Sequence, residues 1–328
     1  MKVLIEGSNL QYYLAKCHES FRTGLRNLFD AKCYGKGYPG YDENIKTYEQ
    51  IIRHVFSNSK PDIIVAYGYD IINSDWVFWH RGLERINIPK AMFLCDFWSE
   101  AECRLNTYIK MIERNRINFI LSFFPQPLDM WKNTILKDKL IYMPPSFDPT
   151  IFKDWKMEKT YDVGFLAQGT ASPDGFYPER WAIHQKVLQE KNIKYLWAQH
   201  PGWGYHEKGH PLVGDNFSKS INSCKIFITS GGIYRNPQPK IFEVLASKTL
   251  LMSDEPNGAQ LIGLIDGVNY VKINTENVVE KIRHYLSHEE ELNKIAENGY
   301  QLANTRHSCN CRAKDFYDAI CKRINIGK

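Results

Sequence analysis

Short apolar runs recur along the chain, each closed by a glycine, a proline or a polar turn and separated by stretches with apolar residues at helical spacing. KVLIEG (2–7) opens the series as a strand stopped by glycine, and an amphipathic stretch from about 10 to 28 follows it as a helix. GKGYPGYD (35–42) is turn-rich, YEQIIRHVF is a helix, and PDIIVAYGY (61–69) and KAMFLCDFW (90–98) are buried strands. A helical stretch to about Arg114, then INFILSF (117–123) and KLIYMPP (139–145), continue the alternation. Prolines 144, 145 and 149 interrupt it, which places a domain boundary near residue 150. Beyond that point YDVGFLAQG (161–169), IKYLWAQ (193–199), CKIFITS (224–230), TLLMSD (249–254) and NYVKI (269–273) form a second strand series with helices between. Repeated βα units of this size predict two parallel, doubly wound α/β domains, 1–150 and 151–305, with ligands collecting in a cleft at the carboxyl ends of strands.

Composition narrows the chemistry. The chain has 328 residues, 43% of them hydrophobic, which is ample for two cores. Its net charge of +5 comes from 42 basic and 37 acidic residues scattered along the sequence, a balance that suits an anionic ligand without demanding DNA. MKVLIEGSN is too short an apolar start for a signal peptide, and no window reaches the length of a membrane span, so a cytoplasmic protein is expected. The eight cysteines include no C-x-x-C pair and are expected to be reduced. HSCNC, with His307, Cys309 and Cys311, fits no common zinc spacing, and no metal is expected.

Neither domain carries G-x-G-x-x-G or a P-loop after its first strand, which removes most support for hydride transfer and for ATP hydrolysis. Three loops of the second domain carry the candidate chemistry. After the strand 224–230, the amides of Ser230, Gly231 and Gly232 can approach an anion closely, and Pro239 suits the start of a helix carrying Lys240 and Glu243. Near that helix start, Glu243 either accepts two hydrogen bonds from a vicinal diol such as ribose or only complements the helix dipole, while Lys240 or Arg235 faces phosphate. In GFLAQGTASPDGFYPERW the strand ends at Gln168–Gly169, and Arg180 falls in the first turn of the next helix. A cation there opposes the dipole unless an anion joins it, so Arg180 is a pyrophosphate candidate or else an ordinary surface arginine. In WAQHPGWGYHEKGH the glycines and prolines leave His200, His206 and His210 no fixed metal geometry, and Trp203 can stack on a nucleobase or fill its own loop.

Taken in order, YDVGFLAQG, YPERW, WAQHPGWG, CKIFITSGG and NPQPKIFEVLASKTLLMSDE resemble the donor-binding half of GT-B-fold glycosyltransferases. They are similar to the CgeB-like (spore maturation protein) branch of the glycosyltransferase group 1 superfamily over roughly residues 160–318. PKAMFLCDFW and LIYMPPSFDPTIF fit the first half more loosely. The resemblance implies a nucleotide-diphosphate sugar, UDP- or GDP-linked, as donor substrate with no further cofactor. It also implies a hexosyltransferase activity that needs no metal, and a C-terminal helix over 306–328 returning to the first domain. Carried over by position, Glu243 matches the glutamate holding the donor ribose. Ser230, Gly231, Gly232 and Arg180, with Gly169, Tyr234 and Lys240 beside them, match the diphosphate-facing parts, and His200 to Trp203 match the base side. The chain departs from the pattern at Arg235, where many members carry a second glutamate that contacts the sugar, and at Lys248, where a glycine is common.

On the acceptor side Asp96 is the first choice as general base, with His80 or Asp70 next, and Asp96 can equally cap the following helix. Gly7, Ser8 and Asn9 supply hydrogen-bonding groups where an acceptor would enter. The acceptor is left open by the sequence, a modified DNA base and a cell-surface glycan or protein precursor being the candidates. For DNA, Arg22, Arg26, Lys32 and Lys36 lie among aromatics, a pairing that also describes a solvated helix face. The competing reading is a non-catalytic nucleotide-sugar-binding module, for which Arg235 is the motive. A two-domain solute binder would normally be exported.

Overall fold

The computed structural model describes residues 1–10, 16–57, 59–67, 80–94, 105–170, 172–173, 175–202, 206–207 and 209–324, the side chains of 16, 17, 94, 107 and 324 excepted. The chain divides into two compact units. Unit 1 comprises Met1–Asn9, Phe21–Pro144 and Arg312–Lys328, and unit 2 comprises Leu10–Ser20 and Pro145–Cys311.

Unit 1 holds a sheet of β1 (Lys2–Glu6), β2 (Asp30–Tyr34), β3 (Ile63–Tyr67), β4 (Lys90–Leu94), β5 (Phe119–Ser122) and β6 (Leu140–Tyr142). Their spatial order is β2-β1-β3-β4-β5-β6, and every pairing is parallel. Strands covered by helices on both faces need apolar residues on both faces, and IIVAY of β3 is buried at all of its positions. The edge strand β2 reads DAKCY, half exposed and charged, and this is why the apolar pattern does not reveal it. Helix α1 (Lys16–Leu28) precedes it, and α2 (Tyr48–Phe56) starts on a capping box in which Thr47 and Gln50 satisfy each other's backbone. Helices α3 (Leu105–Arg114) and α4 (Gln126–Met130) follow β4 and β5.

Unit 2 is built on β7 (Tyr161–Ala167), β8 (Tyr195–Gln199), β9 (Cys224–Thr229), β10 (Leu250–Ser253) and β11 (Val271–Lys272), with the spatial order β8-β7-β9-β10-β11, again all parallel. Helices α5 (Pro178–Leu188), α6 (Asp215–Asn222), α7 (Pro239–Ala246), α8 (Val278–Ser287) and α9 (Glu289–Arg306) complete it. Val163, Phe165, Ile226, Ile228, Leu250 and Met252 form the centre of its core. Gly164 lies in mid-strand because a Cβ there would stand 2.6 Å from both the Phe227 ring and Cys224 Sγ.

The last helix, α10 (Cys309–Ile324), belongs to unit 1 from Arg312 onward. There Phe316 meets Phe21 edge-on at 5.6 Å, Tyr317 stacks on Phe29 at 5.3 Å, and Arg323 donates to the Leu140 carbonyl. In both sheets the strand order reverses beside the first strand, between β1 and β3 and between β7 and β9, and ligands of open α/β sheets collect at such switch points.

Candidate functional site

In unit 2 the switch point is occupied by sequence-named residues. Pro178 opens α5 and Pro239 opens α7, where a missing N–H costs nothing, so both helices begin just beyond the loops leaving β7 and β9. Arg180 and Lys240 fall in the first turns of these two helices. Arg180 is buried, 5% exposed, and donates from Nη2 to the Ser230 carbonyl at 2.6 Å and from Nη1 to the Gln168 carbonyl at 3.3 Å. It thereby ties the ends of β9 and β7 together, with its guanidinium over the Tyr177 ring at 3.5 Å. The alternative of an ordinary surface arginine is corrected: Arg180 is buried and its terminal nitrogens reach two strand-end carbonyls, which fixes its positive charge at the site.

Lys240 Nζ donates to the Leu166 carbonyl. Burial and the nearby Arg180 charge push its pKa down to about 7, against a smaller opposing effect of the Glu243 carboxylate. His200 is pushed down to about 4 by burial, then by Lys240 and Arg180, so its imidazole is neutral. Its Nδ1 accepts the Gly202 N–H at 3.1 Å, which puts the ring proton on Nε2. Arg180, Lys240, His200 and Glu243 are thus one electrostatic cluster, with two cations crowded at two helix N-termini.

Glu243 lies in this cluster but not in the opening turn. It is the fifth residue of α7, no acid occupies the first turn, and the helix is buried from Ile241 through Ala246. Complementing the dipole therefore does not explain it, since the unpaired N–H groups lie a turn earlier. At 7% exposure its carboxylate stands on a helix that is otherwise core.

The SGG loop also differs from expectation. The Gly231 N–H donates to Asp254 Oδ1, just after β10, at 2.8 Å and the Gly232 N–H to Ser230 Oγ within the loop at 3.2 Å, so both amides are engaged by the protein's own side chains. Gly232, at φ 70, turns the chain back, and a Cβ on it would lie 2.5 Å from the Phe176 carbonyl. The glycines serve close chain approach. Gly169, at φ 83, likewise lets the chain turn after β7. Asn257 pins the far side of the loop, its N–H on the Arg235 carbonyl at 2.7 Å and its amide on the Tyr234 carbonyl at 2.8 Å. Burial raises the Asp254 pKa, while the Gly231 N–H, Ser253, Arg180 and Arg235 oppose that rise. Asp254 and Asn257 had no sequence signal beyond the acidic turn after β10.

Unit 1 holds a second group of polar residues at its own switch point. Glu6, at the end of β1, is 0% exposed, and its Oε1 lies 2.9 Å from His80 Nδ1. Burial raises the Glu6 pKa, against the effects of His80, Tyr48 and Arg22, and burial with Glu6 holds the Tyr48 phenol well above its usual value. A carboxylate on Nδ1 fixes that nitrogen as the donor and leaves Nε2 as the proton acceptor. Glu6 was not identified from sequence. Asp96 and Asp70, and Trp203 in unit 2, lie outside the described residues.

Gly7, Ser8 and Asn9 are tied into the fold. The Ser8 carbonyl accepts Arg22 Nη1 at 2.5 Å, Asn9 bonds to Lys36 and Gly37, and a Cβ on Gly7 would lie 2.6 Å from Arg22 Nη2. Arg22 is fully buried with its guanidinium 4.2 Å from the Tyr67 ring centroid, which removes it from the basic face expected to meet DNA phosphates. Arg26, Lys32 and Lys36 are exposed. His307 is buried against Phe242 with Nε2 on the Ile262 carbonyl, and among the described residues no group of three His, Cys, Asp or Glu is placed to hold a metal. No helix among them is long and apolar enough to cross a membrane.

Residues 180–318 match the model of a family described as glycosyl transferase-like, a span containing Arg180, His200, the SGG loop, Lys240 and Glu243. No curated protein matches the chain. Among solved structures, Anabaena Alr3699/HepE in complex with UDP and glucose is similar with a TM-score of 0.62 at 11% identity, covering 98% of this chain and 100% of that one. A glycosyltransferase from Rickettsia africae ESF-5 gives 0.61 at 12% identity, covering 100% and 99%. Sucrose-phosphate synthase from Thermosynechococcus elongatus gives 0.60 at 8% identity, covering 98% of each. At such identities the likeness speaks for architecture, and with two parallel-sheet α/β units it establishes the GT-B fold.

Proposed function

We propose that the protein is a glycosyltransferase that moves a sugar from a nucleotide-diphosphate sugar to an acceptor hydroxyl, acting in the cytosol. The observation that carries this reading is the cluster of Arg180, Lys240, His200 and Glu243 at the β7/β9 switch point. Two cations in first helical turns are electrostatically unfavourable in the empty protein and become favourable when a diphosphate arrives. Lys240 and the Arg180 field stabilise the departing nucleotide diphosphate without a metal, Glu243 accepts hydrogen bonds from the ribose diol, and neutral His200 lies on the base side. The family match over 180–318 and the UDP complex of the similar Anabaena protein support this reading and make UDP the first nucleotide to test. The sequence motifs favour the CgeB-like branch.

In transfer, the bond from the anomeric carbon to the β-phosphate oxygen breaks and a bond to the acceptor oxygen forms. We assign the acceptor proton to His80 Nε2, with Glu6 as the residue that orients the ring, and keep Asp96 as the competing base. Unit 1 is then the acceptor-side domain and unit 2 the donor domain. For the acceptor, a hydroxylated DNA base is the reading that Arg26, Lys32 and Lys36 support, now without Arg22, and a glycan or protein precursor is the other.

A thermal-shift panel of nucleotide sugars tests the donor reading. A ligand at 100 times its dissociation constant adds about 2.7 kcal/mol of apparent stability. Stabilisation with slow release of free nucleotide supports an enzyme, binding without turnover for any acceptor supports a binding module, and stabilisation by no nucleotide sugar overturns both.

A further inference from the structure

We propose that a cavity in unit 1, at the outer edge of its sheet, is a binding site for a small phosphate monoester. The site lies wholly within that unit and does not depend on the donor reading.

Strand β2 stands at the end of the sheet order, and the chain beyond it folds back on itself. The Tyr38 N–H donates to the Gly35 carbonyl at 3.1 Å and the Tyr41 N–H to the Tyr38 carbonyl at 3.2 Å. These are two successive β-turns, each with a glycine at positive φ in its third position, Gly37 at 89 and Gly40 at 79, and Pro39 in the second position of the latter. Two buried tyrosines hold the loop down. Tyr34 Oη donates to the Asp42 carbonyl at 2.9 Å, and Tyr38 Oη accepts from Arg22 Nη1 at 3.2 Å. Between this loop, the last turn of α1 and the last turn of α2 the fold leaves a cavity of about 360 Å³, within the size range of small-molecule sites.

Its charge is one-sided. Among the described residues that line it, Arg26 and Lys32 carry permanent positive charge and none is acidic. The basic side chains are placed by the fold. Lys32 Nζ donates to the Val55 carbonyl at 3.1 Å, Arg26 Nη2 to Thr23 Oγ1 at 3.0 Å, and His54 Nε2 to the Gly40 carbonyl at 2.9 Å. The first of these bonds offsets the negative end of α2 and uses one of the three N–H groups of Lys32. Asp42, at the end of the loop, gives its carboxylate to the Asn44 N–H at 2.8 Å and side-chain amide at 3.0 Å. Two held cations in one concavity are balanced by a dianion. A phosphate monoester carries close to two charges above neutral pH and a diester only one. Enclosure points the same way, since a nucleic-acid backbone is tracked along an open groove.

The test is calorimetric titration of the full chain at pH 8 with glycerol 3-phosphate, glycerol, dimethyl phosphate and a single-stranded oligonucleotide without terminal phosphates. It is repeated for Lys32→Gln and Arg26→Gln, both exposed positions, with thermal unfolding as the folding control. The proposal expects glycerol 3-phosphate to bind roughly tenfold tighter than dimethyl phosphate, and glycerol not at all. Each variant weakens glycerol 3-phosphate roughly tenfold, and excess UDP-glucose leaves its binding unchanged. No binding of glycerol 3-phosphate to the unaltered protein, or equal affinity in both variants, overturns the proposal. Displacement by UDP-glucose also overturns it, by placing the ester in the donor site. An oligonucleotide that binds tighter than glycerol 3-phosphate, falls steeply with salt and is lost in Lys32→Gln overturns it as well, and gives these cations to a strand backbone.

Discussion

Replacing Lys240 by Met should remove a pH dependence of donor binding that can be worked out from the site. With a pKa near 7 in the empty protein, Lys240 is half-protonated at neutral pH. A pyrophosphate oxygen about 4 Å from the ammonium contributes on the order of 4 kcal/mol per charge at an effective dielectric near 20, roughly three pK units, so the bound lysine stays protonated to pH 10. Binding above pH 7 must then take up a proton, and affinity for UDP-glucose falls about 25-fold between pH 6.5 and 8.5. UDP-glucose suits the measurement because its diphosphate is esterified at both ends and does not titrate in this range. His200, with a pKa near 4, stays neutral throughout. Calorimetry at several pH values should show this decline together with proton uptake, and Lys240→Met should bind weakly and evenly across the range. A flat profile in the unaltered protein, or an identical slope in Lys240→Met, would refute the reasoning. The sign for stability is opposite: a lysine pKa lowered from 10.5 to about 7 on folding means the unfolded chain binds more protons in that interval, so the ligand-free protein gains stability as pH rises through it.

Further outcomes concern the other groups. Glu6→Gln should lower the rate of donor hydrolysis by roughly 10²-fold and alter its pH profile while UDP affinity is kept, as measured by nucleotide release, because Glu6 acts only through the His80 ring. Gly232→Ala should destabilise unit 2 by about 1–3 kcal/mol in urea unfolding, since the added methyl meets the Phe176 carbonyl and φ is left-handed. Arg22→Met should leave DNA affinity unchanged in salt-titrated binding, whereas a variant that neutralises exposed Arg26, Lys32 and Lys36 should abolish it if DNA is the acceptor.

Much of the architecture was legible because a parallel sheet writes continuous apolar runs into its strands, as in IIVAY and FILS. Strand β2 escaped because an edge strand has no such need, and DAKCY carries charge instead. Arg180 and Lys240 were legible because a proline at each helix start fixes the register of the first turn. Long-range pairing was not. The Glu6–His80 contact joins residues 74 positions apart, and the engagement of the Gly231 amide by Asp254 depends on how β10 is placed beside β9. Arg22 misled because a basic residue on an amphipathic helix normally faces water, whereas here the Tyr67 ring and the Ser8 carbonyl receive it inside.

The central claim is that the β7/β9 switch point binds a nucleotide diphosphate, and a crystal structure of the protein grown with UDP tests it most directly. The account predicts the diphosphate within hydrogen-bond reach of Lys240 and the ribose hydroxyls on Glu243. A nucleotide bound elsewhere on the chain, or one at this site whose ribose turns away from Glu243, would contradict it.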